Sequence, residues 1–128
     1  MTRAYLDTSA AGKLLIDEDE SAALAAWIEE NDAELVSTLL VETELRRVAA
    51  RHDLPQADVT TVLDYVSLYE MPPSLYREAG LLPGASLRSL DALHLAGAIR
   101  IGAQTVLTYD TRLAQSAQAL GLHALAPS

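Results

Sequence analysis

The sequence contains no cysteine and no phenylalanine, and only one tryptophan and one lysine in 128 residues. The lack of cysteine excludes disulfides and thiolate metal sites and fits a reducing compartment. Without phenylalanine, the core has to be built from leucine, valine, isoleucine and alanine. No stretch approaches the roughly 20 apolar residues of a membrane span. The first seven residues carry no apolar run of signal-peptide length. A cytoplasmic chain with no membrane association is the expectation. Basic charge is scarce as well. Eight arginines and Lys13 stand against 18 acidic residues, for a net charge of −9. Such a surface does not grip nucleic acid by bulk electrostatics. The adjacent Arg46 and Arg47 leave room for a local basic edge, and the surplus carboxylates are candidate metal ligands.

What is present is a well-patterned globular chain. Half of the residues are hydrophobic, far above the level of disorder. The length suits one domain, 1–128. Short apolar runs at 4–6, 34–36, 68–71, 104–108 and 122–125 read as strands. Helical patterns cover 10–16, 22–30, 39–52, 55–66, 75–82, a stretch from 88 to a stop at Ile101-Gly102-Ala103, and 110–120. Ser21 and Ser37-Thr38 stand where helix caps belong. Strands alternating with helices predict an α/β fold with a central parallel sheet covered on both faces. Ligands in such sheets bind beyond the carboxyl ends of the strands.

The helix from Arg88 is the most telling stretch. Between Leu90 and Ile99 its only polar residues are Asp91 and His94. A helix apolar on every side is buried, so the Asp91 carboxylate needs compensation. It either caps backbone N–H groups or binds a cation. Asp7 ends the first strand and Asp110 follows the fourth. Each alone reads equally well as a helix cap. Glu44 does not, because it lies mid-helix inside the apolar arc of Leu40, Val41, Leu45 and Val48. Glu42 falls outside that arc, four residues before Arg46, as a solvated ion pair. An inward glutamate beside strand-end aspartates suggests an all-oxygen cluster suited to Mg²⁺ or Mn²⁺. An internal salt bridge from Glu44 to Arg47 or Arg51 is the competing reading.

The runs Tyr5-Leu6-Asp7-Thr8-Ser9-Ala10, Ser37-Thr38-Leu39 leading to Glu44-Leu45-Arg46-Arg47, Leu87 through Ala96, and Leu107-Thr108-Tyr109-Asp110-Thr111-Arg112-Leu113 together resemble the PIN-domain ribonucleases. More specifically they resemble the VapC toxins of bacterial toxin–antitoxin pairs. That resemblance implies a PIN-like α/β/α sandwich and a metal-dependent endoribonuclease using Mg²⁺ or Mn²⁺. It matches Asp7, Glu44, Asp91 and Asp110 to the four family acids. Asp7 and Asp91 become direct metal ligands, with Glu44 and Asp110 holding water or a second ion. It also implies 5′-phosphate and 3′-hydroxyl products, a homodimer, and inhibition by a cognate VapB-type antitoxin.

Other polar residues have two readings. Thr8, Ser9 and Thr108 would position water or phosphate, or serve as turn and cap residues. Lys13 and Arg112 would hold the RNA backbone, or lie on a solvated surface. His94 reads as a hydrogen-bonded core histidine. The helices 39–52 and 55–66, with Tyr65, Tyr69 and Tyr76, offer partner surface, unless the tyrosines pack in the core. The alternatives are a PIN nuclease of RNA processing and a non-enzymatic α/β module whose acids are caps and salt bridges. A phosphoaspartate phosphatase wants an acid where Ser9 stands. A receiver domain wants a late-strand lysine, and the only lysine is Lys13.

Overall fold

A computed structural model describes residues 2–128. Five strands form one sheet: β1 Thr2–Leu6, β2 Ala33–Thr38, β3 Ser67–Tyr69, β4 Thr105–Leu107 and β5 His123–Leu125. Their spatial order is β3-β2-β1-β4-β5, and every pairing is parallel. Seven helices accompany them: α1 Thr8–Leu15, α2 Ser21–Glu30, α3 Leu39–Arg51, α4 Gln56–Leu63, α5 Pro73–Gly80, α6 Ser89–Ile101 and α7 Thr111–Ala119.

The strands are apolar on both sides, and their period of two splits the core into two layers. Ala4, Leu6, Leu35 and Leu107 face α1–α4. Tyr5, Val36 and Val106 face α6 and α7. A smaller cluster of Leu75, Ala79, Ala92 and Ala96 joins α5 to α6. This is the expected α/β/α sandwich. The chain winds outward from β1 through β2 to β3, then returns to the other side of β1 at β4. The order therefore reverses between β1 and β4, where an open α/β sheet leaves a crevice at the carboxyl ends of its strands. Asp7 and Asp110 follow these two strands.

Several sequence expectations are adjusted. Residue 92 and residues 94–98 of α6 are buried, but Leu90 and Ile99 are 52% and 47% exposed. Only the middle of that helix is enclosed, by the sheet and α5. The helix expected from 75 begins two residues earlier, at Pro73, where a missing N–H costs nothing. Ser21 does not cap α2. Its hydroxyl donates to the carbonyls of Lys13 or Ile16 and accepts the Glu18 N–H, pinning the loop instead. Gly102 ends α6 at φ 83°, in the left-handed region. Gly97 allows α6 to approach β2 closely, since a Cβ there would lie 2.6 Å from Thr38 Cγ2.

Candidate active site

Asp7 is buried directly after β1 and caps α1. Its Oδ1 accepts the Ala10 N–H at 2.9 Å. The Thr108 hydroxyl donates to Oδ2 at 2.5 Å, and the Ser9 hydroxyl lies within reach of both oxygens. Burial nonetheless outweighs these hydrogen bonds and holds the Asp7 carboxyl above its ordinary value. Three donors serve a group with about four acceptor positions. Ser9 also accepts the Tyr109 N–H. Thr108 accepts the Asp110 N–H, so one hydroxyl joins the acid after β1 to the acid after β4.

Asp110 caps α7 through one oxygen. Its Oδ1 accepts the N–H groups of Arg112 and Leu113. Glu44 is also tied by a single oxygen. Its Oε1 accepts the Thr8 hydroxyl at 2.6 Å and lies 2.6 Å from His94 Nε2. Among the described residues no hydrogen bond reaches Asp110 Oδ2 or Glu44 Oε2. Burial pushes the Glu44 carboxyl up, but the His94 and Thr8 hydrogen bonds outweigh it and hold the group below its ordinary value. Glu42 sits outside, 3.2 Å from Arg46. The wheel distinguished the two glutamates correctly, and Glu44 pairs with neither Arg47 nor Arg51.

His94 is buried on α6 and bridges two layers of the site. A carboxylate only accepts, so Nε2 donates to Glu44. For a neutral ring, Nδ1 then accepts the Tyr5 hydroxyl at 2.7 Å, and Tyr5 accepts from Thr38 at 3.2 Å. Burial pushes the Tyr5 phenol up to about 12, against the hydrogen bonds that lower it. Tyr5 therefore stays a neutral hydroxyl at physiological pH. His94 is the core histidine that the sequence suggests, and it also fixes the Glu44 side chain.

Of the two readings of Asp91, the structure does not bear out the cap. Arg88 occupies the N-cap of α6 and Asp91 stands at the third helical position. Among the described residues its carboxylate accepts no hydrogen bond, so it caps nothing. Partial burial, followed by the charge of Asp110, holds its carboxyl above the ordinary value; His94, Arg88 and Arg112 pull the other way. Glu44, Asp91, Asp110 and Arg112 line one open cleft of ≈ 580 Å³, together with Arg88 and Leu90. Asp7, Ser9 and Thr108 are bonded together at the strand ends, and Thr8 reaches Glu44. Lys13 does not join them. Its ammonium lies 2.8 Å from Glu20, also pairs with Glu18, and sits 5.3 Å above the Tyr109 ring.

The sequence reading missed Arg88. A signal existed, because an arginine is a poor N-cap and opposes the helix dipole.

Among the described residues, no three histidine, aspartate or glutamate side chains are arranged to hold an ion. The donor chemistry nevertheless fits a hard divalent cation. All four acids offer oxygen, two carry a free oxygen beside a fixed one, and Asp91 has a charged neighbour and no hydrogen-bond donor.

A profile of the PIN domain matches residues 4–118. The chain belongs to the PIN domain family. Within it, the chain stands among the VapC proteins. It is 38% identical to Ribonuclease VapC35 of Mycobacterium tuberculosis over 130 residues, 96% of each chain. The PIN fold is shared with Mycobacterium tuberculosis VapC20, described as a toxin cleaving the sarcin–ricin loop. That match has a TM-score of 0.75 and 16% identity, covering 97% of this chain and 99% of the other. VapBC2 from Rickettsia felis, solved bound to a DNA fragment from its promoter, matches with a TM-score of 0.72 at 13% identity, over 99% and 100% of the two chains. The Tyr5, Thr38 and His94 network sits inside the matched span, as do all four acids.

Proposed function

We propose that this PIN domain is a divalent-metal-dependent endoribonuclease and the toxin of a VapB–VapC-type pair, acting in the cytoplasm. The observation that carries the reading is Asp91. It is a partly buried carboxylate beside Asp110, with no hydrogen-bond donor, on the rim of a cleft at the switch point of the sheet. The nearby charges of His94, Arg88 and Arg112 only partly offset this burial and repulsion, and a bound cation would offset the rest. The ribonuclease name of the VapC relatives supports RNA as the substrate.

Asp7 and Asp91 are assigned as direct ligands of Mg²⁺ or Mn²⁺, and Glu44 and Asp110 as acceptors for surrounding water or a second ion. The ion, when bound, lowers the pKa of a water molecule and neutralises charge on the phosphoryl and leaving oxygens. The protein supplies orientation. Thr108, Ser9 and the Ala10 N–H hold Asp7; Thr8 and His94 hold Glu44; the α7 amides hold Asp110. Glu44 and Asp110 reach the cleft with their positions set in advance, and Asp7 is held at the adjoining strand end; preset position is where such sites gain rate. The cation also bridges acidic protein to anionic RNA.

A VapB-type antitoxin and a second copy of the chain are the assigned partners. Tyr65, Tyr76 and Tyr69 are 77%, 53% and 36% exposed, which favours partner surface over core packing for these side chains. A short reading frame encoded beside the gene is the expected antitoxin, and its co-expression should yield a stable complex.

The deciding experiment is calorimetric Mn²⁺ titration of the wild type and of Asp91→Asn, with RNA cleavage measured on both. Saturable binding and cleavage that the substitution abolishes support the reading. A wild type that neither binds Mn²⁺ nor cuts RNA overturns it, and leaves the acids as caps and salt bridges.

A further inference from the structure

A second groove adjoins the acid cleft, and it differs from the cleft in charge. It runs between the loop 83–88 and α7, encloses ≈ 530 Å³, and is lined among others by Ser86, Arg88, Arg112, Gln115 and Ser116. Among the described residues no acidic side chain lines it, on a chain of net charge −9. Arg88 and Arg112 line both spaces, so they form the rim between them.

Arg3, Arg46, Arg100 and Lys13 are held in ion pairs. Arg47, Arg51, Arg77, Arg88 and Arg112 are not, among the described residues, and of these five only Arg88 and Arg112 border the groove. Among the described residues neither of these two guanidinium groups donates a hydrogen bond. Two free cations bordering one groove, with hydroxyl and amide donors further along it, match a phosphate backbone. No aromatic side chain lines the groove, so it offers no platform for stacking bases.

We propose that this groove binds the backbone of the single-stranded RNA flanking the cleaved bond, with Arg88 and Arg112 each contacting a phosphate. The inference rests on the ribonuclease reading. It states how an acidic protein holds a polyanion: one ion at the cut and a neutral-to-basic track beside it. Recognition here is by backbone, so the groove contributes affinity and no sequence preference.

The test is fluorescence anisotropy of labelled 12-nucleotide RNAs of two unrelated sequences, titrated in Mg²⁺ buffer at several salt concentrations. The parental protein carries Asp91→Asn to prevent cutting. One variant adds Arg88→Gln and Arg112→Gln, and a second adds Ser86→Glu and Gln115→Glu, which touch the groove but not the cleft. A control adds Arg51→Gln and Arg77→Gln, which change net charge equally and line neither space. Losing two contacts should lower the salt slope by about 1.4 and weaken binding about 25-fold at 0.1 M salt, for both sequences. The added glutamates should weaken both RNAs at least as much, and the control should leave the slope unchanged. Groove variants that behave like the control overturn the groove while leaving the ribonuclease reading intact. Parental protein that binds no RNA, from a wild type that cuts none, overturns both. All substituted positions are solvent-exposed or partly so, and thermal melts of each variant check the fold.

Discussion

Gly97→Ala tests whether the close approach of α6 to β2 holds the site together. Gly97 is mid-helix, where alanine is ordinarily about 1 kcal/mol better than glycine. Here the new methyl would lie 2.6 Å from Thr38 Cγ2 and 3.5 Å from the Tyr5 hydroxyl. Thr38 cannot give way cheaply. It is buried, short and β-branched, and its Oγ1 is bonded to Tyr5. Overpacking costs about 1–3 kcal/mol, and the strained Thr38–Tyr5 hydrogen bond about 1 more. Set against the helix gain of about 1 kcal/mol, the net loss is about 1–3 kcal/mol. Urea unfolding at unchanged slope should show it as a lower midpoint. RNA cleavage should fall too, because Asp91 and His94 ride on the displaced helix. The same substitution at Gly12, where a Cβ meets nothing within 4 Å, should stabilise by up to about 1 kcal/mol. Gly97→Ala at or above wild-type stability would refute the packing reasoning.

Three further outcomes are expected. Burial and the charge of Asp110 hold the Asp91 carboxyl above its ordinary value. A group raised on folding contributes stability that is full below its unfolded value and lost as pH rises through the folded one. Asp91→Asn removes that loss, so in chelator-treated buffer it should melt above wild type at neutral pH and converge with it in acid; a variant no more stable at neutral pH contradicts the placement. His94→Leu should lower kcat about ten- to hundredfold with KM little changed, since it unfixes Glu44 without touching RNA, and His94→Gln, which keeps a donor, should recover part; equal losses in both variants, or a loss in KM alone, would count against positioning. Asp110→Asn keeps a good cap and Asp110→Ala does not, so Ala should be less stable than Asn by about 1 kcal/mol in urea unfolding while cleavage is lost in both; equal stability would mean the cap is idle.

The fold was legible because its signals are local. All five strands and seven helices fall where apolar runs and turn residues put them, with ends shifted by a few residues. Parallel pairing follows from strands that are apolar on both faces. Glu44 was separable from Glu42 because a helix wheel needs only thirteen residues of sequence. What the sequence hid is non-local. Lys13 reads as a free cation until the loop that follows α1 brings Glu18 and Glu20 onto it. Tyr5 and His94 are 89 positions apart, and Thr108 and Asp7 are 101. No periodicity reports such a bond. Arg88 could be noticed as a misplaced helix cap, but only the adjoining groove gives it a use.

The sequence poses a choice between cap and ligand, and the geometry shows that the two roles need not exclude each other. Asp110 spends Oδ1 on two amides, and Glu44 spends Oε1 on a hydroxyl and a ring nitrogen. In both, the second oxygen is left without a hydrogen bond among the described residues. A cap at Asp110 and a side-chain pair of bonds at Glu44 thus fix one oxygen and leave the other open, so a structural role does not exclude a chemical one. Asp7 is the tighter version, buried under three donors for about four acceptor positions. Asp91 is the opposite case. It caps nothing and accepts no hydrogen bond among the described residues, and it sits beside the charge of Asp110, offset in part by His94, Arg88 and Arg112. Three acids are held in place by hydrogen bonds and Asp91 is not, while burial raises the carboxyls of Asp7 and Asp91 alike.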